Sequence, residues 1–444
     1  MEVWAIGGYS EIGKNMTAVK IGDEVVVFDM GLHMDKVIQL QMDEKQPMEL
    51  STSKLITAQV LPNDIQMKKE WGKQVKAIVS THAHLDHLGG IPKLADKYKC
   101  PVIMTPFSSE VLKNIVKNEK LKFNSKVIKL NAGKKYKISK NLTIEFINAT
   151  HSTPQTVIVA LHSPEGVVLY ALDWKFDAYP TLGKRTDYKR LRALAKEGVK
   201  ALICDSTRIE EESKTYSESY VREMFKDILF WTENKNKAIF VTTFSSHIAR
   251  INMLVKMAKQ MKRKPLILGR SMANYIEAAG KAGIAKLKKD AKVYKFKSQI
   301  GKALKKVEKN RGKYFVICTG GQGEPGSVMQ RIATDQFKFG FMPGDQVIFS
   351  CSVIPTNVNQ ANRKLLEQEL KNRGVRIFKD VHQSGHGARE DIRDMLILTR
   401  PENYIPAHGG LEKLASAVEL AREEGYKLGK TVHIMQDGQK LVIE

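Results

Sequence analysis

The sequence predicts an α/β fold made of two layered parts, and three observations predict it. Up to about residue 208 the chain reads mainly as short apolar runs broken by turn residues. From about residue 209 strand-like runs alternate with helical stretches, as in a parallel α/β layer with its own core. Apolar runs also end repeatedly in one Asp or His, the arrangement of α/β proteins that gather function beyond strand ends. The chain has 444 residues, 42% of them hydrophobic. That exceeds one core, since cores stop growing near roughly 250–300 residues, and two or three domains are expected.

Taken in order, Met16–Ile21 and Glu24–Phe28 flank Gly22-Asp23 and predict a hairpin. Lys76–Ser80 predicts a buried strand, followed by strands at Val127–Leu130, Leu142–Asn148, Thr156–Leu161 and Val167–Ala171. The last two are joined by Ser163-Pro164-Glu165-Gly166, a second hairpin. Helical periodicity falls at Pro92–Tyr98, Ser108–Lys117 and Tyr188–Glu197. In the second part, strands at Ala238–Thr243, Pro265–Leu268, Tyr314–Cys318 and Gln346–Ser350 alternate with helices that include His247–Lys262 and Met272–Ala282. Short strands and helices follow from about Gly374, closing on a hairpin at Asp437-Gly438.

Chemistry concentrates in Thr81-His82-Ala83-His84-Leu85-Asp86-His87-Leu88-Gly89-Gly90, directly after the Lys76–Ser80 strand. Imidazoles and a carboxylate suit zinc. Their offsets do not fit one helix face, so a loop should carry His82 and His84 and wind into a helix at Asp86-His87. Six apolar runs reach one ionisable residue each: Asp29, His82, His151, Asp173, Asp205 and His408. Asp29 and Asp205 also fit ordinary turn or cap roles. The expected assembly has His82, His84 and His151 on one zinc and Asp86, His87 and His408 on a second. Asp173 bridges them, because a carboxylate has two oxygens to share. Zinc lowers the pKa of bound water to about 7, which makes a nucleophile at neutral pH. Asp29 would orient a ligand from behind.

Net charge is +24. Between Lys256 and Lys313 there are 19 Lys or Arg against Glu277, Asp290 and Glu308. Such an excess fits a surface that recruits a polyanion, and equally a solvated lysine-rich face. No apolar stretch approaches the roughly 20 residues of a membrane span, and the N-terminus shows no signal peptide. Cys100, Cys204, Cys318 and Cys351 are far apart in apolar runs, so buried free thiols are expected. A cytoplasmic protein is the expectation.

The order Asp29, His82-x-His84-x-Asp86-His87, His151, Asp173 resembles the metallo-β-lactamase fold, an αββα sandwich. Asp205, His386 in Val381-His382-Gln383-Ser384-Gly385-His386-Gly387, and His408 in Pro406-Ala407-His408-Gly409 look like motifs A, B and C of its β-CASP nuclease branch. Gly7-Gly8-Tyr9-Ser10-Glu11-Ile12-Gly13-Lys14-Asn15, Thr242–His247, Gly269–Met272 and Thr319–Pro325 are similar to blocks of the ribonuclease J family. The resemblance implies an inserted α/β β-CASP domain at 209–372, with the metallo-β-lactamase domain at 1–208 and 373–444. Without preceding KH domains or an added C-terminal domain, the chain looks like the shorter archaeal form.

Leu85 and Gly410 depart from residues common in the family, and both flank ligands rather than replace them. His at motif C favours RNA over DNA. The resemblance thus implies a zinc-dependent 5′-to-3′ exoribonuclease preferring 5′-monophosphate ends and acting in RNA decay or processing. Endonucleolytic cleavage or a small-molecule metallo-hydrolase are the alternatives. It implies two zinc ions per chain, replaceable by manganese or magnesium, with Asp86, Asp205 and His386 catalytic. A 5′-phosphate pocket of Ser245, His247, Arg270, Ser271, Ser384, Gly385 and His386 is also implied, although Ser245 or His247 equally suits a helix cap. RNA, a second copy in a homodimer and other RNA-decay proteins are the implied partners.

Overall fold

Apolar runs broken by turns become strands, and the direction of those strands positions the site. A computed structural model describes residues 1–42, 47–354 and 357–444 of the protein. Strands β1 (Glu2–Gly7), β2 (Met16–Ile21), β3 (Glu24–Phe28), β4 (Val75–Val79), β5 (Val102–Met104) and β6 (Val127–Lys129) come first. Then follow β7 (Lys135–Lys137), β8 (Thr143–Asn148), β9 (Val157–Ser163), β10 (Gly166–Ala171) and β11 (Val199–Asp205). The second part holds β12 (Ile239–Thr242), β13 (Lys264–Leu268), β14 (Lys292–Tyr294), β15 (Tyr314–Cys318), β16 (Gln346–Phe349) and β17 (Arg376–Phe378). The chain returns through β18 (Asn403–Ala407) and β19 (Lys440–Val442).

One seven-stranded sheet has the order β19-β1-β2-β3-β4-β5-β6, and a six-stranded sheet has β18-β11-β10-β9-β8-β7. Their inner faces share one core, in which Val19, Val26 and Val79 meet Phe146, Val159 and Ile203. The rings of Phe28 and Tyr170 stack across it at 4.8 Å. Helices Tyr188–Glu197, Arg389–Thr399 and Leu411–Glu423 bury Leu191, Leu194, Met395, Leu396 and Leu420 on the outer face of the second sheet. This is the αββα sandwich. The hairpins at Gly22-Asp23 and Pro164-Glu165 form as expected, and Gly22 takes the φ of +55° that the first turn needs. All four cysteines are buried and free. Among the described residues no helix is long and apolar enough to cross a membrane.

Strand direction decides where side chains gather. β3 and β4 run parallel, and so do β10, β11 and β18. β8 runs the same way as β10, because each is antiparallel to β9. The C-terminal ends of these strands therefore lie along one edge, which carries Asp29, His82, His151, Asp173, Asp205 and His408.

The second unit has its own six-stranded sheet of parallel pairs, β14-β13-β15-β12-β16-β17. Its core includes Phe240, Leu268, Leu304, Val316, Phe349 and Leu370. The compact units divide differently from the expected 208 and 372. The first comprises residues 1–178, 184–215 and 385–444, and the second 179–183 and 216–384. The reason is β17, which falls where short strands were expected but pairs with β16 and so holds residues past 372 in the second sheet. β1, β5, β7 and β14 were not expected as strands. The stretch expected as one helix at Pro92–Tyr98 is a short α-turn at Ile91–Leu94 followed by a 3₁₀ turn at Ala95–Tyr98.

Two buried ion pairs give testable stabilities. Glu145 on β8 is 5% exposed. It accepts from Arg190 Nε at 2.6 Å and Nη2 at 2.8 Å, and from His162 Nε2 at 2.7 Å. Burial pushes its pKa up, but the bonds from His162 and Arg190 and the charges of Arg190 and Lys135 outweigh it and hold it at about 2. A depressed carboxyl stabilises above its unfolded pKa of about 4.3 and loses that contribution as pH falls towards the folded value. Glu145→Ala should cost about 2 kcal/mol at pH 7, and urea unfolding should show the difference from wild type shrinking between pH 4.5 and 2.

In the second unit Arg250 is 0% exposed. It pairs through Nε and Nη2 with Glu218, and its Nη1 donates to Ser350 O at 3.1 Å and Oγ at 2.8 Å. Arg250→Ala leaves a buried carboxylate without its main counter-charge and should destabilise this unit by about 3–5 kcal/mol. Arg250→Met with Glu218→Leu should cost much less in the same thermal melts.

Candidate metal centre

The Thr81–Gly90 stretch folds as its spacing requires. His82 and His84 lie in the loop after β4, and the chain winds into a helical turn at Leu85–Leu88 that carries Asp86 and His87. His82 and His87 are fully buried, whereas His84 and Asp86 are partly open. The strand ends bring the remaining groups. Asp29, Asp173 and His408 all have left-handed backbones, with φ of 55°, 50° and 61°. For non-glycine residues this costs about 1–3 kcal/mol each, and it persists only where the surroundings over-determine it. Here it turns the chain sharply as each strand ends.

Two ligand sets result. One ligand atom each from His82, His84, His151 and Asp173 lies within 4.8 Å of all the others, and the same holds for Asp86, His87, Asp173 and His408. Asp173 belongs to both. Its Oδ2 is 3.2 Å from His151 Nε2 and 3.4 Å from His82 Nε2. Its Oδ1 is 2.9 Å from His87 Nε2 and 3.3 Å from His408 Nε2. Asp86 Oδ2 lies 3.6 Å and 3.7 Å from those last two nitrogens. The donor set fits metal ions. His82 Nε2 is buried with no hydrogen-bond partner, a costly arrangement unless a cation satisfies it. His151 Nε2 and His84 Nδ1 face each other at 3.0 Å.

Charge in the site follows from burial and proximity. Burial lowers the pKa of His82 and His408, and holds His151 at about 4. Burial would raise Asp173, but His87, His386 and His408 pull it well below the usual range. Burial would lower His87, but Asp173, Asp86 and Asp29 raise it well above. Metal ligands bind deprotonated, so an ion held here works against the raised pKa of His87.

The supports are as specific as the ligands. Asp29 accepts from the Thr81 amide at 2.8 Å and from the Thr81 hydroxyl at 2.9 Å. It also accepts from His87 Nδ1 at 2.9 Å, which aims Nε2 into the centre. Sequence reasoning assigned the Gly7–Asn15 block no chemistry of its own, yet it backs the site. Asn15 Nδ2 reaches Asp86 O at 3.1 Å and His87 Nε2 at 3.0 Å, and the His408 amide donates to Gly8 O at 2.6 Å. At Gly31 an added Cβ would lie 1.6 Å from Asp86 O, so only glycine fits. The signal available in the sequence was a glycine-rich block ending in Asn15.

His386 stands apart from the ligand sets. Its Nδ1 is 2.7 Å from Asp205 Oδ2, and its Nε2 is 3.7 Å from Asp173 Oδ2. Asp205 Oδ1 in turn accepts from the Thr207 amide at 2.8 Å. Asp173, Asp205 and His386 are also close enough to hold an ion. The Asp205 oxygen nearest the ring is committed to His386, however, so a hydrogen-bonded pair describes these two better. Burial would lower His386, but Asp173 and Asp205 raise it to about 9. Gly385 O accepts from His151 Nδ1 at 2.7 Å, and a Cβ on Gly385 would meet that ring at 2.5 Å.

Ser245, Arg270 and Ser271 gather in the second unit at the C-terminal ends of β12 and β13. The two hydroxyls are 2.7 Å apart, and all three residues are at least partly exposed. His247 is 3% exposed, and its Nδ1 accepts from the Arg250 amide as the N-cap of helix Ile248–Gln260. The structure gives it the capping role. Ser384 is partly buried at the end of the second unit.

Residues 10–173 match the metallo-β-lactamase superfamily, and residues 236–367 match the β-CASP domain of ribonuclease J. The chain is 43% identical to ribonuclease J of Methanocaldococcus jannaschii, covering 100% of this chain and 99% of that one. It is 40% identical to ribonuclease J of Pyrococcus abyssi over 100% and 97%. Ribonuclease J 1 of Streptococcus pyogenes is 30% identical over 99% of this chain and 74% of its own. A solved protein of unknown function from Enterococcus faecalis V583 shares the fold, with a TM-score of 0.63 over 99% of both chains at 15% identity. The chain belongs to the ribonuclease J family of metallo-β-lactamase and β-CASP proteins.

Proposed function

We propose that this chain is a zinc-dependent 5′-to-3′ exoribonuclease that hydrolyses RNA phosphodiester bonds and prefers 5′-monophosphate ends. The observation that carries the proposal is the double ligand set sharing Asp173, with His386 and Asp205 paired beside it. The relatives named ribonuclease J support RNA as the substrate. Five histidines against two carboxylates among the ligands favour zinc over magnesium, which prefers oxygen. Bound zinc would supply an activated water and stabilise charge on the attacking and leaving oxygens.

The chain's own residues do the rest. Asp173 shares its two oxygens between the ligand sets and fixes their spacing. Asp205 holds His386 Nδ1–H and favours the protonated ring, leaving Nε2–H to bond a phosphate oxygen and to protonate the departing 3′ oxygen. His386 is partly open, so it can regain that proton from solvent. The end preference is supported by Ser245, Ser271 and Arg270. Two hydroxyls 2.7 Å apart, with Arg270 next to Ser271 in the chain, are groups that a terminal phosphate uses. The same reading makes the protein a cytoplasmic homodimer working beside other RNA-decay proteins, and gel filtration tests the dimer.

The deciding experiment uses end-labelled RNAs identical except for a 5′ monophosphate, triphosphate or hydroxyl, with zinc and after chelation. Mononucleotides released fastest from the monophosphate RNA, and lost on chelation, are expected. Equal rates with internal fragments from all three RNAs would replace the exonuclease with an endonuclease.

A further inference from the structure

Helix Lys297–Lys309 has two faces with strict helical spacing. Ile300, Ala303, Leu304 and Val307 are buried in the second unit's core. Lys302, Lys305, Lys306 and Lys309 are all exposed. These four sit at i, i+3, i+4 and i+7, so they form one stripe spanning about 10 Å of helix. Lys302 with Lys306 and Lys305 with Lys309 are like-charge pairs at i,i+4, the spacing that destabilises a helix.

The acids of the surrounding segment do not offset them. Glu277 pairs with Lys281 and Asp290 with Lys259. Glu308 accepts from the Gly340 amide at 2.9 Å. Among the described residues, none of the four stripe lysines makes an ion pair. A merely solvated helix face would place glutamates among its lysines and gain from each pair. This one concentrates a single sign.

We propose that this stripe is an RNA-contact surface of the second unit that holds the phosphate backbone by charge alone, independently of the 5′ end. The proposal rests on the ribonuclease reading for the identity of the polyanion; the charge pattern itself does not depend on it. A flexible polyanion lying along the stripe would remove the like-charge repulsion and release its own counterions.

The test is a variant with Lys302, Lys305, Lys306 and Lys309 all changed to Gln in the full chain. A charge-matched control carries Lys117, Lys120, Lys122 and Lys126 changed to Gln. Binding of a labelled single-stranded RNA of about 30 nucleotides with a 5′ hydroxyl is followed by fluorescence anisotropy under chelation. If three of the four lysines each neutralise a phosphate, the slope of log K against log salt should shrink by about 2, with roughly tenfold weaker binding at low salt. The control should change little. The stripe variant should melt no lower than wild type, since repulsion has been removed. It should cleave a 6-nucleotide RNA as wild type does, and a 30-nucleotide RNA with raised KM and unchanged kcat. An unchanged affinity and slope, or an equal loss in the control, would overturn the proposal. If no RNA is cleaved by either protein, the ribonuclease reading fails while the anisotropy still decides the stripe.

Discussion

Asp173→Ala should abolish catalysis and empty both metal sites together. Asp173 is the one residue common to the two ligand sets, and its oxygens lie 2.9–3.4 Å from ring nitrogens of His87, His408, His151 and His82. Removing it takes a ligand from each ion and leaves the histidines to repel. A fall in kcat/KM of about 10⁴-fold or more is expected for loss of the activated water and the charge stabilisation together. Metal content by mass spectrometry should drop well below two ions per chain. Full metal content with near-wild-type cleavage would contradict the shared-ligand assignment. Removing Asp86 with His87 touches one set only, so that variant should retain close to one ion.

His386→Ala and Asp205→Asn should separate chemistry from metal binding. The His386–Asp205 pair sits beside the ligands, with its short bond at Nδ1 and its Nε2 towards Asp173. Loss of a positioned proton donor costs typically about 10²–10⁴-fold, and that range is expected in kcat for His386→Ala. Asp205→Asn keeps the shape but removes the charge that favours the protonated ring, so a smaller loss is expected. Both variants should keep two ions per chain. Loss of metal from either would place the pair among the ligands instead. The double variant should be little worse than His386→Ala, because Asp205 acts through His386.

Much of this centre was legible before folding was considered. His82, His84, Asp86 and His87 sit at spacings no helix face explains, and Asp173 and His408 end apolar runs. What failed to show was short or supporting. β14 has three residues, too few for a periodic signal, and pairing with β13 stabilises it, while the pairing of β17 with β16 ties residues past 372 to the second sheet. Hence the unit boundary falls at residue 384 rather than 372. Asn15 and Gly31 were invisible as supports because their roles are contacts with Asp86, more than 50 positions along the chain. His247 was open to two readings, phosphate ligand or helix cap, and its ring takes the cap position of helix Ile248–Gln260.

The sequence by itself determined which side chains carry chemistry and which faces are apolar, because residue type and period are local properties. Tertiary structure decided which atoms carry out these expected roles: Asp173 Oδ1 faces His87 and His408 while Oδ2 faces His82 and His151, Asp29 holds Thr81 as well as His87, and Asp205 bonds His386 Nδ1. Those are distances between strand ends far apart in the chain, and they are set by the parallel pairing of β3 with β4 and of β10 with β11 and β18.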